Sequence, residues 1–222
     1  MRMRRKKHGA ERIEACAELL ITNNEKLKEN PQSFFSEVRP LYLEIGCGKG
    51  DFACGTARDN PGMNLIAMER VADVACLALE KAKERADERP DNLRFIIGDA
   101  RELPEMLPEG SLDGIYLNFS DPWPKSGYKK RRLTYRAFLE GYRKLLKENG
   151  TLRLKTDNVG LFEFSLEEFE AAGLRIEWQT DDLHASEYGV GNVMTEYERN
   201  FTEKGMKICS ALVTFVKKED QE

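Results

Sequence analysis

Short apolar runs and amphipathic stretches take turns along this chain. "LYLEIG" (41–46), "NLIAME" (64–69), "LRFIIG" (93–98), "LDGIYLNF" (112–119) and "TLRLKTD" (151–157) have the length and composition of strands. Between them, "VADVACLALEKAKERA" (71–86) and "TYRAFLEGYRKLLKE" (134–148) carry helical periodicity. In the second, Tyr135, Phe138, Leu139, Tyr142, Leu145 and Leu146 recur at three- and four-residue steps, with Thr134 as the expected cap and Gly150 as the expected stop. The alternation predicts an α/β fold built on a doubly wound, mostly parallel sheet, in which ligands sit beyond the carboxyl ends of the strands. Near the end, "LRIEWQTDDL" (174–183) and "GMKICSALVTFVKK" (205–218) read as two strands with only a loop between them, an antiparallel edge pair. There is no internal repeat and no low-complexity segment.

With 222 residues, 41% of them hydrophobic, the chain can bury one core of ordinary size. The expected organisation is a single domain over 41–222, preceded by a basic segment, 1–40, packed on it. No apolar run approaches the roughly 20 residues that span a bilayer, and "MRMRRKKHGA" lacks the apolar stretch of a signal peptide. A cytoplasmic protein without a membrane partner is expected. The five cysteines include no C-x-x-C pair and only His8 and His184 could join them, so neither a disulfide framework nor a metal site is expected. Cys47 and Cys54 read as small packing residues, and both histidines as surface or structural groups.

The net charge of -4 hides a strong polarity. Arg2, Arg4, Arg5, Lys6 and Lys7 crowd the start, and Lys125, Lys129, Lys130, Arg131 and Arg132 crowd one later passage, with no acid inside either cluster. A basic patch on an acidic body steers a polyanion to one face. The plainer alternative for each run is a solvated surface.

Chemistry is expected after each strand. The first is followed by "EIGCGKGDF", a loop with Gly46, Gly48 and Gly50. A dinucleotide fingerprint would place its third glycine at position 51, where this chain has Asp51. That acid and Glu44 suit a ligand without phosphates and with cationic groups. S-adenosylmethionine, with its ammonium and sulfonium, is such a ligand. Glu69, ending the second strand, can accept from both ribose hydroxyls, and Asp99 and Ala100 follow the third strand, beside the adenine in this reading.

The fourth strand delivers "NFSDPWPKSGYKKRR" (118–132). Prolines on both sides of Trp123 restrict the backbone and favour a rigid corner after Asp121. A turn-capping carboxylate and a core-packing tryptophan are the plainer alternatives. "NFSDPWPK" with "KRRLTYRAFL", "EIGCGKG", "LKTDN" (154–158) and "DLHASEYGVGNVMTEYERNF" (182–201) resembles the tRNA (guanine-N7-)-methyltransferase family, within the class I, Rossmann-like S-adenosylmethionine-dependent methyltransferases. The likeness covers nearly the whole chain. Two departures stand out: Gly127-Tyr128 where the family often has Arg-His, and "KKHGA" in place of a frequent Pro-Trp pairing.

The resemblance implies that Glu44, Glu69, Asp99 and Asp121 line S-adenosylmethionine, with Gly46, Gly48, Ala100 and Asn118 beside them, and that Asp121 is catalytic. It implies substrate-binding positions at Lys125, Asp157, Thr195, Glu196, Tyr197 and Glu198, and RNA contacts by Lys129, Lys130, Arg131 and Arg132. The implied reaction methylates N7 of guanine 46 in the tRNA variable loop and leaves S-adenosylhomocysteine. A monomer or homodimer without metal is expected. Guanine N7 carries an in-plane lone pair and needs no deprotonation, which fits a motif lacking a strong base. Two other readings are an amino N-methyltransferase acting on another base or on protein, and a non-catalytic RNA-binding subunit. Trp123 where such amino methyltransferases carry a second proline disfavours the first, and acids at every cofactor position disfavour the second.

Overall fold

The computed structural model describes residues 8–84 and 91–216. The first basic cluster, at positions 2–7, lies outside them, as do the expected helix end at 85–86 and strand end at 217–218. The chain forms two compact units, one from the residues up to Pro108 with Val193–Glu196, the other from Glu109–Asn192 and Tyr197 onward.

In the first unit, β1 (Leu41–Ile45), β2 (Asn64–Glu69) and β3 (Leu93–Ile97) are parallel in the order β3-β2-β1. Leu41, Leu43, Leu65, Ile66 and Ala67 are wholly buried, as the apolar strands of a covered parallel sheet are. The crossover helices α3 (Asp51–Asp59) and α4 (Ala72–Glu84) pack against β2, β3 and each other. They approach closely at Gly50, where a Cβ would lie 2.8 Å from that of Ala78 and where φ is +80°, so glycine is needed for space and for conformation. The N-terminal segment packs on this unit. Arg12 of α1 (Gly9–Glu14) forks onto Glu80 of α4, both contacts at 2.6 Å. Ile21 N–H donates to Phe95 O of β3 at 2.8 Å. Lys28 of α2 (Asn24–Glu29) reaches the Pro104 and Leu107 carbonyls around α5 (Leu103–Met106).

In the second unit, β4 (Leu112–Asn118) runs parallel to β5 (Leu146–Thr156). β7 (Cys209–Thr214) is antiparallel to β5 and to β6 (Arg175–Thr180), giving the order β4-β5-β7-β6. The seven strands thus form a mixed sheet, mostly parallel with an antiparallel edge pair, the α/β arrangement expected. Among the described residues no helix is long and apolar enough to cross a membrane.

Three local expectations are corrected. α6 (Arg136–Leu145) stops five residues before Gly150 because Leu146 opens β5 and pairs with Leu112. The register then slips, and Gly150 sits where a Cβ would meet the Leu146 side chain at 2.9 Å and Lys147 O at 3.0 Å. Its smallness serves an irregular strand rather than a helix stop. Thr134 does not cap α6, since its Oγ1 bonds Ser165 Oγ at 2.8 Å inside the core. The cap comes from α7 (Val159–Ala171), whose Glu168 Oε2 accepts the Arg136 N–H at 2.7 Å while Oε1 takes Arg136 Nη2 at 2.8 Å. A carboxylate there also complements the positive end of the helix dipole. Finally, β6 and β7 are joined by more than a loop, through a 3-10 turn, Glu187–Gly189, and the helix α8 (Glu196–Thr202).

Candidate active site

The first unit carries the glycine loop. Gly46, Gly48 and Gly50 have φ of +81°, +57° and +80°, conformations that side chains disfavour. The N–H groups of Gly46 and Cys47 donate to Met68 O at 2.8 and 2.9 Å, tying the loop to the end of β2. One residue on, Glu69 receives the Gly48 N–H on Oε2 (3.1 Å) and the Val71 N–H on Oε1 (2.9 Å). The carboxylate is thereby oriented while each oxygen keeps a lone pair for another donor. A Cβ built on Gly46 or Gly48 meets nothing within 4 Å, so open space borders the loop. An acid held at a strand end beside such a loop fits the hydroxyls of a ribose.

Glu44 is buried within β1 and Ala100 lies buried after β3. Asp99 caps the turn after β3 by accepting the Arg101 N–H at 3.0 Å, and its two oxygens take the Arg101 guanidinium at 3.0 and 2.8 Å, with Arg70 at 3.9 Å. The hydrogen bonds from Arg101 hold the carboxyl down at about 2. Thr195 and Glu196 also belong to this unit, and Glu196 pairs with Lys49 of the glycine loop at 2.9 Å. Burial pushes the Cys47 thiol well up, as suits a packing residue rather than a nucleophile. All five cysteines are free and buried.

The second unit carries the passage after β4. Asn118 is buried, and Phe119 N–H donates to Lys155 O at 2.8 Å, fixing the loop to the end of β5. Phe119 and Trp123 have φ of +52° and +41°, unfavourable for bulky residues and maintained only where surroundings impose them. Asp121 lies exposed between them. Arg132 supplies much of that constraint. Its Nε donates to Pro122 O at 2.8 Å, its Nη2 to Trp123 O at 3.2 Å, and its guanidinium sits 4.3 Å from the Phe164 ring centroid. The rigid corner expected from the two prolines is thus clamped by a residue expected to contact RNA. Lys125, Lys129 and Lys130 are exposed, with no carboxylate within 4 Å among the described residues.

The expected substrate segment in α8 divides by burial. Tyr197 is 43% exposed, packs on Phe119 (centroids 5.1 Å apart) and Phe201 (4.2 Å), and turns its hydroxyl to Asp157 Oδ2 at 3.4 Å. Glu198 is enclosed. Its carboxylate receives Lys155 Nζ at 2.7 Å and Asn192 Nδ2 at 2.7 Å, and Asn192 Oδ1 in turn accepts from Lys155 at 3.2 Å. His184 Nε2 lies 3.2 Å from the same carboxylate and 3.2 Å from Thr202 Oγ1. Glu198 therefore anchors α8. Sequence reasoning missed Lys155 and Asn192, although Lys155 carried a signal: it lies in a strand with both neighbours buried, where any side chain is enclosed.

A family described as "Putative methyltransferase" matches residues 38–211. A tRNA (guanine-N(7)-)-methyltransferase of Limosilactobacillus reuteri is 45% identical over 215 residues, 97% of this chain and 100% of that one. One from Geobacillus is 43% identical over 221 residues, 100% and 99% of the two chains. Among solved structures, an antibiotic-related methyltransferase aligns with a TM-score of 0.64 at 17% identity, over 88% of this chain and 94% of that one.

Proposed function

This chain belongs to the tRNA (guanine-N7-)-methyltransferase family, and on that premise we propose that it methylates N7 of a guanine in tRNA, position 46 of the variable loop. The methyl donor is S-adenosylmethionine, which when bound supplies a methyl group on a cationic sulfur. Glu69, oriented by the Gly48 and Val71 N–H groups, accepts from the ribose hydroxyls. Glu44, Gly46, Gly48, Asp99 and Ala100 complete the donor's surroundings within the first unit.

The observation that carries the reading is an exposed carboxylate on a turn held from behind: Asp121, with Arg132 bonded to the next two carbonyls and unpaired lysines alongside. Asp121 accepts from the guanine ring N–H and amino group, and its charge stabilises the cation that the purine becomes as N7 gains the methyl group. No residue need remove a proton before attack. Lys129 and Lys130 hold phosphate and position the RNA without reading its sequence, while Lys125, Asp157 and Tyr197 bound the acceptor.

Single-turnover methylation by Asp121→Ala, at saturating cofactor and tRNA and with nucleoside analysis of the product, tests this. Loss of one preorganised electrostatic contact raises the barrier by roughly 2.7 to 4 kcal/mol, about a hundredfold to a thousandfold in rate. A near-parental rate removes Asp121 from the chemistry. Methylation of a tRNA carrying adenine at position 46 excludes the proposed target.

A further inference from the structure

The loop that follows Asp121 presents an aromatic ring to solvent in an orderly way. Tyr128 is 42% exposed. Its ring meets Trp123 edge-on, centroids 6.0 Å apart and planes at 77°. Arg131 closes the group, its guanidinium 4.9 Å from the Trp123 centroid and 4.6 Å from that of Tyr128, an arrangement in which a cation lies against the electron-rich faces. The backbone is a 3-10 turn, Ser126–Arg131, with Tyr128 N–H bonded to Lys125 O at 2.9 Å and Arg132 N–H to Lys129 O at 3.1 Å.

Such a ring needs a partner that wants both a flat apolar face and positive charge. Lys125, Lys129 and Lys130 surround it in sequence, and no acid occurs between Asp121 and Glu140. A protein-docking patch is depleted of lysine at its core, whereas aromatic faces set among cations are the pattern of single-stranded nucleic-acid binding, bases on rings and phosphates on lysines. Because the ring is braced before binding, little ordering accompanies contact.

We propose that Tyr128, braced by Arg131 against Trp123, is a stacking platform for an unpaired nucleobase next to the target guanine. The inference rests on tRNA being the substrate. It assigns base contact to Tyr128 and leaves phosphate contact to the lysines, and the two differ in salt dependence. Stacking releases no counterion; each phosphate contact releases about 0.7 to 0.9 of one.

Unmodified tRNA is titrated against the parent chain, Tyr128→Ala, Tyr128→Leu, Tyr128→Phe and the pair Lys129→Ala/Lys130→Ala over a range of salt concentrations. Tyr128→Ala and Tyr128→Leu are expected to weaken binding about fivefold to 150-fold with the parental salt slope. Tyr128→Phe stays close to the parent, and the lysine pair flattens the slope. Parental affinity in Tyr128→Ala, rescue by leucine, or a changed slope in either tyrosine variant overturns the platform while leaving the substrate reading intact. A parent chain that binds no tRNA overturns both.

Discussion

The ammonium of Lys155 and the carboxylate of Glu198 lie 2.7 Å apart, and neither side chain exposes any surface. Lys155 is the penultimate residue of β5 and Glu198 sits in α8, so the pair fastens the helix to the end of the strand, just before Asp157. Removing one partner strands a buried charge. Glu198→Ala is expected to lower unfolding free energy by about 3 to 5 kcal/mol, and the double variant Lys155→Met/Glu198→Leu by less, because no charge is then left alone. Urea denaturation of the three chains checks this; a single variant as stable as its parent shows that α8 is held by other contacts.

Glu69 accepts the Gly48 and Val71 N–H groups, and its proposed second task is to receive the donor's ribose. Glu69→Ala is expected to weaken S-adenosylmethionine binding by about 1.5 to 3 kcal/mol, the scale of a hydrogen bond to a charged group. Calorimetry reads it directly, and an unchanged dissociation constant places the ribose elsewhere.

Arg132 separates positioning from RNA contact. Lysine preserves the charge but cannot fork onto the Pro122 and Trp123 carbonyls. Arg132→Lys is therefore expected to slow single-turnover methylation at saturating tRNA by up to about a hundredfold, the scale of a displaced reacting group, while the salt slope of tRNA binding stays parental. A parental rate shows that the corner keeps its shape without Arg132.

Asp99 predicts a pH dependence. Its hydrogen bonds from Arg101 lower the folded-state carboxyl to about 2, against 3.8 for the free group. A depressed acid contributes stability above its unfolded value and loses it as pH falls through its folded one. Parent and Asp99→Asn stabilities should differ above pH 4 and draw together toward pH 2. A gap that persists at pH 2 ties Asp99 to the fold through something other than its charge.

The strands and their order of succession were legible because each is an apolar run closed by turn residues, and the parallel arrangement follows from helices placed between them. The strand-end acids were legible for the same reason, since topology alone sets Glu69 and Asp99 at carboxyl ends. What escaped depends on partners distant in sequence. Nothing near Leu146 announces that Leu112 pairs with it and stops α6. Thr134 looks like a cap until Ser165 is beside it and Glu168 takes its place. Glu198 looks like a free carboxylate until Lys155, 43 residues away, is found against it. Arg132, inside a run of cations, gave no sign of pointing back at its own loop.

That inward turn divides one short passage between two kinds of change. Arg132 holds the Asp121 corner from the far end of the same loop, and Gly127, Tyr128, Lys129 and Lys130 project between these fixed points. On the roles proposed above, substitutions in those four residues alter how an RNA is gripped without moving Asp121. The strength of that proposed grip can therefore drift among descendants of this chain, or be tuned by hand, while the corner that carries Asp121 keeps its shape.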